Sequence, residues 1–515
     1  MSSRGTSVPD APRPVIPGFH PDPSVVRVGA DFYLVTSSFE YAPGIPIFHS
    51  RDLVEWEQIG HVLDRPGQLD VAEAGASGGI FAPTIRHHDG RFWVITTNTT
   101  DAGGQILVWA DDPRGPWSDP VRIPEIDGID PDLAWDDAGH TLVTFSNFDH
   151  VADQARIRQV QIDPHTGAVL TAPIDLWSGS GRAYPEAPHL YRIDDDWYLM
   201  IAEGGTERGH SVVIARGPTP QGPFVAAPNN PILTHRARTG TLQNTGHADL
   251  VERADGSWAM VFLGVRVRGM SPKFHVLGRE TFAAELEWHS GWPSVGRLLP
   301  PPTDATRVVD SGVIDLSSEL GFEWSASGTA AAHPVAAVGD GSLILSGTAE
   351  SEVFLGRRQQ HLYADAMVTI APSGGRGALL LRVDPQHEYG VSVCDGRVTA
   401  LSQVGAVRAA IVERDVDNVS EGAAAGTAED HTTVYVSVIA AASGSGAPDT
   451  VVMGYLTDGQ RVELARLDGR YLSTEVAGGF TGRFFGITTC SGRPAFSEFR
   501  YRGSDSAESL AAVLP

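Results

Sequence analysis

The chain has 515 residues and a mass of 54.8 kDa, room for two to four domains, and 42% hydrophobic residues exclude a disordered chain. Its 38 Lys and Arg against 63 Asp and Glu leave a formal charge of −25, which repels phosphate backbones and anionic lipid. Nucleic acid and membrane are therefore excluded as expected partners, and 57 Gly and 35 Pro beside 19 Phe and 11 Trp argue against a helical enzyme and for strands joined by tight turns.

Met1 to Pro14 contains no apolar run that could form a signal-peptide core, and no later stretch approaches the length of a membrane span. With only Cys394 and Cys490, both expected as buried thiols, a reducing compartment is expected and the localisation is read as cytoplasmic.

From Pro14 to Arg297 three elements recur in the same order. The first is a small, acidic or His residue leading into an apolar run, beginning at Asp22, Ala82, Asp130, Ala187 and His247, with steps of 60, 48, 57 and 60 residues. The second, about ten residues on, is a turn followed by an aromatic or β-branched run, such as Gly29-Ala30-Asp31-Phe32-Tyr33 and Asp89-Gly90-Arg91-Phe92-Trp93. The third is an apolar anchor after a turn, at Trp56, Trp117, Val169, Phe224 and Trp288. Five four-stranded units of this length predict a five-bladed β-propeller over residues 1–299. A Pro-rich linker follows at 300–307, since no central strand tolerates Leu298-Leu299-Pro300-Pro301-Pro302. From 308 to 515 alternating runs such as Thr433-Val434-Tyr435-Val436 predict an antiparallel β-sandwich, with Ala/Gly/Ser tracts at 422–427 and 440–448 as loops.

In a propeller the first strand of each blade lines the channel, so the five repeat starts converge on one axis. That ring brings together Asp22, Asp130, Glu186 beside Ala187, and His247. Carboxylates gathered at one mouth repel, and the cost points to function. One carboxylic acid kept protonated and one kept ionised are the two groups that cleave a glycosidic bond. Asp-Pro steps are also ordinary turn starters, and a lone His is more often a satisfied core residue; the shared register favours a site. No zinc spacing, EF-hand loop or phosphate loop occurs.

The motifs Gly18-Phe19-His20-Pro21-Asp22-Pro23, Gly128-Ile129-Asp130-Pro131-Asp132, Pro185-Glu186-Ala187-Pro188, Ala202-Glu203-Gly204-Gly205-Thr206, Gly246-His247-Ala248-Asp249 and Leu277-Gly278-Arg279-Glu280 run in one order across the first three hundred residues. In this they resemble glycoside hydrolase family 43, in its two-domain β-xylosidase and α-L-arabinofuranosidase branch. Gly479-Phe480-Thr481-Gly482 is similar to part of that branch's C-terminal concanavalin-like sandwich. The resemblance implies an inverting exo-hydrolase acting on short neutral xylo-oligosaccharides. It implies Asp22 as general base, Glu186 as general acid and Asp130 as the residue that raises the acid's pKa and orients it. Arg279, His247, Phe39, Phe81, Thr84 and Thr206 would bind the sugar. No cofactor is required, although relatives with calcium near the axial histidine make His247 a candidate metal ligand. Homo-oligomerisation stays open. Many relatives have Trp-Ala-Pro-His and Pro-Glu-Gly-Pro where this chain has Phe81-Ala82-Pro83-Thr84 and Pro185-Glu186-Ala187-Pro188. The rival readings are a mainly arabinofuranoside-specific enzyme, a retaining fructosidase-like propeller and a non-catalytic sugar-binding propeller.

Overall fold

Five four-stranded antiparallel sheets, each built from consecutive strands, run from Ser24 to Leu298 in the computed structural model, which describes residues 12–100, 104–149, 154–299, 304, 306–328, 337–338, 341–348, 352–372, 375–415 and 431–514. Their inner strands are Ser24–Val28, Thr84–His88, Ile129–Trp135, Glu186–Ile193 and Leu242–Glu252. Each inner strand lies against the next and the fifth against the first, so the sheets close as a five-bladed propeller around a channel. The turn-plus-aromatic repeat forms the second strand of every blade, for example Arg91–Thr97 and Asp196–Glu203.

Alternation along these strands supplies the packing. Phe92 and Val94 face the first blade, and Trp93 and Ile95 face the third; Tyr198 and Met200 pack toward the fifth blade, Leu199 and Ile201 toward the third. The hydrophobic residues consequently form five separate cores, one in each gap between neighbouring blades. The fifth gap also takes in Val15, Ile16 and Leu299. There the Val15 and Ile16 amides donate to the Thr281 carbonyl at 2.9 and 3.2 Å, which ties the entering chain to the last blade.

The remaining strands form two antiparallel sheets of eight and seven strands with a single core between them, including Leu379, Leu381, Val434, Val436 and Phe485. The two domains share an extensive seam. Ala42 and Ala326 exchange backbone hydrogen bonds at 2.9 and 2.8 Å, and Arg268 pairs with Asp449 at 2.7 Å. At Gly278 and Gly482 the two backbones meet so closely that a Cβ on Gly278 would lie 3.0 Å from the Gly482 Cα.

Most of the Pro-rich segment (300–303 and 305) and the tract at 422–427 lie outside the described residues. The tract at 440–448 joins the strands Thr432–Ile439 and Thr450–Thr457. Contrary to expectation the two cysteines are only half buried, because Cys394 ends a strand and Cys490 stands one residue from the end of another; both are free thiols. No helix among the described residues is long and apolar enough to cross a membrane.

Candidate active site

At the channel mouth the backbone repeats one unusual conformation. Asp22, Asp130, Ala187 and His247, at equivalent positions of four blades, have φ of 54°, 54°, 51° and 42°. Left-handed backbone in a non-glycine residue costs about 1 kcal/mol or more, and here it occurs where the expected functional residues stand.

Asp22 is only 4% exposed. Its carboxylate receives Arg279 Nη1 at 2.9 Å and Nη2 at 3.4 Å and the Ser37 hydroxyl at 2.6 Å, and His247 Nδ1 is 3.3 Å away. Burial alone pushes this carboxyl up. The Arg279 guanidinium and the hydrogen bonds outweigh it, leaving Asp22 below the usual range and ionised at neutral pH. His247 is held at about 4, by burial first, so its ring is neutral beside the carboxylate.

Asp130 is the opposite case. It is 8% exposed and accepts one hydrogen bond, from the Ala187 amide at 3.1 Å. Burial raises its carboxyl well above the ordinary range, and the charges of Glu186 and Asp22 raise it further. The group expected to perturb its neighbour is therefore itself perturbed, because a buried carboxyl that faces other carboxylates resists ionisation.

Glu186 opens the inner strand of the fourth blade and is 20% exposed at its side chain. The segment before it is anchored twice. Ser146 donates to the Pro185 carbonyl at 2.8 Å, and fully buried Glu203 accepts the Ser180 amide at 2.9 Å, the Ser180 hydroxyl and Arg182 Nε at 3.2 Å. Glu186 lines a cleft of about 350 Å³ together with Ile129, Ser146, Asn147, Phe148 and Tyr184, contributed by blades three and four, with blade two opposite.

Arg279 links Asp22 to an aromatic cluster. Its Nη1 also donates to Thr206 Oγ1 at 3.1 Å, and its guanidinium lies 5.7 Å from the Phe39 ring and 5.4 Å from that of Phe480. Phe39 stands 5.2 Å from Phe81 and 5.8 Å from Phe480. Phe480 belongs to the sandwich, where its amide is held by Ser77 Oγ at 2.8 Å, so the second domain supplies a wall of the site. The conspicuous Gly479-Phe480-Thr481-Gly482 string was the only sequence signal for it. Thr84 is buried at 3%, at the start of its inner strand, and makes none of the hydrogen bonds around the three carboxylates.

Two residues beyond the ring positions lies a second layer that the sequence reading missed. Ser24, Asp132, His189 and Asp249 gather there around Arg86, which reaches Asp132 at 2.6 Å, Asp249 at 2.9 Å, His189 Nδ1 at 2.8 Å and Ser24 at 3.3 Å. Tyr191 completes it through Asp249 at 2.6 Å, so all five blades meet in one polar hub. The common offset of two from Asp22, Asp130, Ala187 and His247 was the available clue, and Thr84 shares it.

The hub bears on calcium. The axial carboxylates Asp132 and Asp249 already have a guanidinium as counter-ion, and Asp22, the carboxylate next to His247, has another. Among the described residues no cluster of three or more His, Cys, Asp or Glu has the arrangement of a metal site.

Known proteins share this plan. The model for glycosyl hydrolases family 43 matches residues 11–293, and that for the beta xylosidase C-terminal concanavalin A-like domain matches residues 317–502. A non-reducing end alpha-L-arabinofuranosidase of Bacteroides ovatus is 37% identical over 500 residues, covering 92% of this chain and 90% of that protein. A xylosidase/arabinosidase of Butyrivibrio fibrisolvens is 44% identical over 303 residues, 56% of this chain and 57% of its own. The solved Bacteroides ovatus xyloglucan PUL GH43B superposes with a TM-score of 0.81 at 32% identity, over 95% of this chain and 99% of that one. The xylan beta-1,4-xylosidase from Bacillus halodurans does so with a TM-score of 0.80 at 27% identity, over 95% and 99%. The paired carboxylates of contrasting environment thus stand on a family scaffold that hydrolyses glycosides without a cofactor, and the chain belongs to glycosyl hydrolases family 43.

Proposed function

We propose that this glycoside hydrolase removes single pentosyl units from the non-reducing ends of short neutral oligosaccharides, by inversion, with xylosyl as the principal unit. The observation that carries this reading is the contrast between the two sides of the ring. Asp22 is buried and ionised against Arg279, whose guanidinium is flanked by Thr206, Phe39 and Phe480, a setting that suits contacts with one sugar residue; Glu186 borders an open cleft, which suits a variable leaving group.

In the proposed reaction Asp22 takes a proton from water as that water attacks the anomeric carbon. Glu186 gives its proton to the glycosidic oxygen as the carbon–oxygen bond breaks. Asp130 accepts the Ala187 amide next to the acid and so orients the segment that carries it. Arg279 keeps Asp22 ionised and presents donors to the sugar hydroxyls.

Arabinofuranoside hydrolysis is the second reading, favoured by the Bacteroides ovatus relative matched along nearly the whole chain and named an arabinofuranosidase. In the cytoplasm either activity would act on imported fragments. The test is Glu186→Gln, assayed on xylobiose, on an aryl xyloside and on an aryl arabinofuranoside. Loss on xylobiose should reach about 10² or more, while an activated aryl leaving group, which needs little acid, keeps most of its rate. Equal losses on both xylosides would overturn the acid assignment, and the ratio of the two aryl rates ranks the sugars.

A further inference from the structure

One buried histidine faces the proposed acid and has no role in the reaction as described. His210 is 1% exposed and sits just before the strand Ser211–Gly217. Its Nδ1 lies 3.1 Å from the Asn244 carbonyl oxygen. A carbonyl can only accept, so Nδ1 carries the hydrogen, and in a neutral ring Nε2 is left with the lone pair. That Nε2 is buried, has no hydrogen-bond partner among the described residues, and lies 3.5 Å from Glu186 Oε1.

The consequence depends on the state of Glu186. An ionised carboxylate would set two acceptors against each other in a buried space. A protonated one offers an O–H to a lone pair that otherwise goes unsatisfied, and an orphaned buried acceptor is costly. The ring cannot easily turn away: a Cβ at residue 246 would lie 2.2 Å from His210 Cε1, so the ring is seated against bare Gly246 backbone. The next residue is His247, whose Nδ1 stands 3.3 Å from Asp22. One irregularity of the inner strand Leu242–Glu252, where its register shifts on either side of Gly246, therefore seats one histidine against each of the two proposed catalytic carboxylates.

We propose that His210 is a positioning residue that keeps the Glu186 proton in the free enzyme, by accepting it as a hydrogen bond at Nε2. This rests on Glu186 being the general acid. The proton waits on Oε1 against His210 and turns to the glycosidic oxygen as the leaving group arrives. His210 neither gains nor loses a proton, so the bonds that change are Glu186 O–H, the new leaving-group O–H, the two at the anomeric carbon, and the water O–H whose proton passes to Asp22.

The test uses the full chain with His210→Phe, which keeps the ring volume, and His210→Asn, which keeps a donor for Asn244 but has no acceptor that reaches Glu186. The pH profile of kcat/KM on xylobiose reports the free enzyme. Its basic limb should fall by about one pH unit in both variants, about a tenfold loss above the limb. The limb of kcat, which reports the bound state, should move less, and an activated aryl xyloside should stay within about threefold of wild type. An unmoved limb with parallel losses on both substrates would make His210 merely structural. A limb that rises would mean the ring acts as a cation pairing with ionised Glu186, which also overturns the proposal. Glu186→Gln run alongside separates the readings: if it fails its own leaving-group test, the acid assignment falls; if it passes while the limb stays put, only the role of His210 falls.

Discussion

Replacing Arg86 by Met tests the claim that a single cation holds the five blades together at the axis. Arg86 bridges Asp132 at 2.6 Å and Asp249 at 2.9 Å, and both carboxylates have no exposed side-chain surface. Without it Asp249 keeps the Ser24 and Tyr191 hydroxyls and the Val25 and Leu250 amides but loses its counter-charge. Breaking a buried pair in this way costs about 3–5 kcal/mol. The loss should depend on pH with a definite sign. In the native protein burial pushes Asp249 up, but Arg86 and the hydrogen bonds bring it far below its unfolded value, so its contribution is complete at neutral pH and fades only as pH falls below about 4. In Arg86→Met burial acts without the cation, the folded carboxyl rises above its unfolded value, and the variant regains stability as pH falls from 7.5 to 5.5, by up to about 1.4 kcal/mol per pH unit. Urea denaturation followed by tryptophan fluorescence reports the propeller, because all eleven tryptophans except Trp324 precede residue 299. A loss below about 1 kcal/mol, or one equal at both pH values, would mean that Arg86 does not hold the axis together.

Two further perturbations probe the seam and the aromatic cluster of the site. Glu40 is 5% exposed, accepts the Ser77 amide at 3.1 Å and is pushed up to about 8, by burial first. Because the folded state holds this proton more tightly than the unfolded chain does, stability should decline between about pH 5 and 8, by up to about 1.4 kcal/mol per unit, and Glu40→Gln should flatten that decline in denaturation midpoints. Phe480→Ala removes the sandwich's ring from beside Arg279, an interaction of about 1–2 kcal/mol when desolvated, so kcat/KM should fall about tenfold. That fall should be the same for aryl xylosides of good and poor leaving ability, since the ring lies on the sugar side; a loss confined to poor leaving groups would place it elsewhere.

How much of this was legible in the chain differs from residue to residue. The blades could be read because each repeats a turn and an alternating strand, and alternation survives whatever the tertiary context. Asp22, Asp130 and Glu186 could be placed on one ring because the repeat fixes their register. Their contrast could not, since it depends on whether a guanidinium or another carboxylate lies opposite: Arg279 is 257 residues from Asp22 in sequence. The Pro-Glu-Gly-Pro of many relatives has a physical reason visible only in three dimensions, because Ala187 occupies φ of 51°, a backbone that glycine adopts without strain. The Arg86 hub was hidden because a lone Arg in a strand looks like a solvated side chain until its partners on four other blades are known. Phe480 was quoted as part of a motif, yet its place beside the site depends on domain docking across 403 residues, for which local pattern carries no signal.

In the proposed reaction Asp22 directs water onto the anomeric carbon from the face opposite Glu186. Proton NMR of the anomeric region during the first turnovers on an aryl β-xyloside, whose leaving group is not a sugar, tests it directly, before mutarotation mixes the products. α-Xylose should appear first and relax to the equilibrium mixture; β-xylose appearing first would mean retention through a covalent intermediate and would overturn inversion.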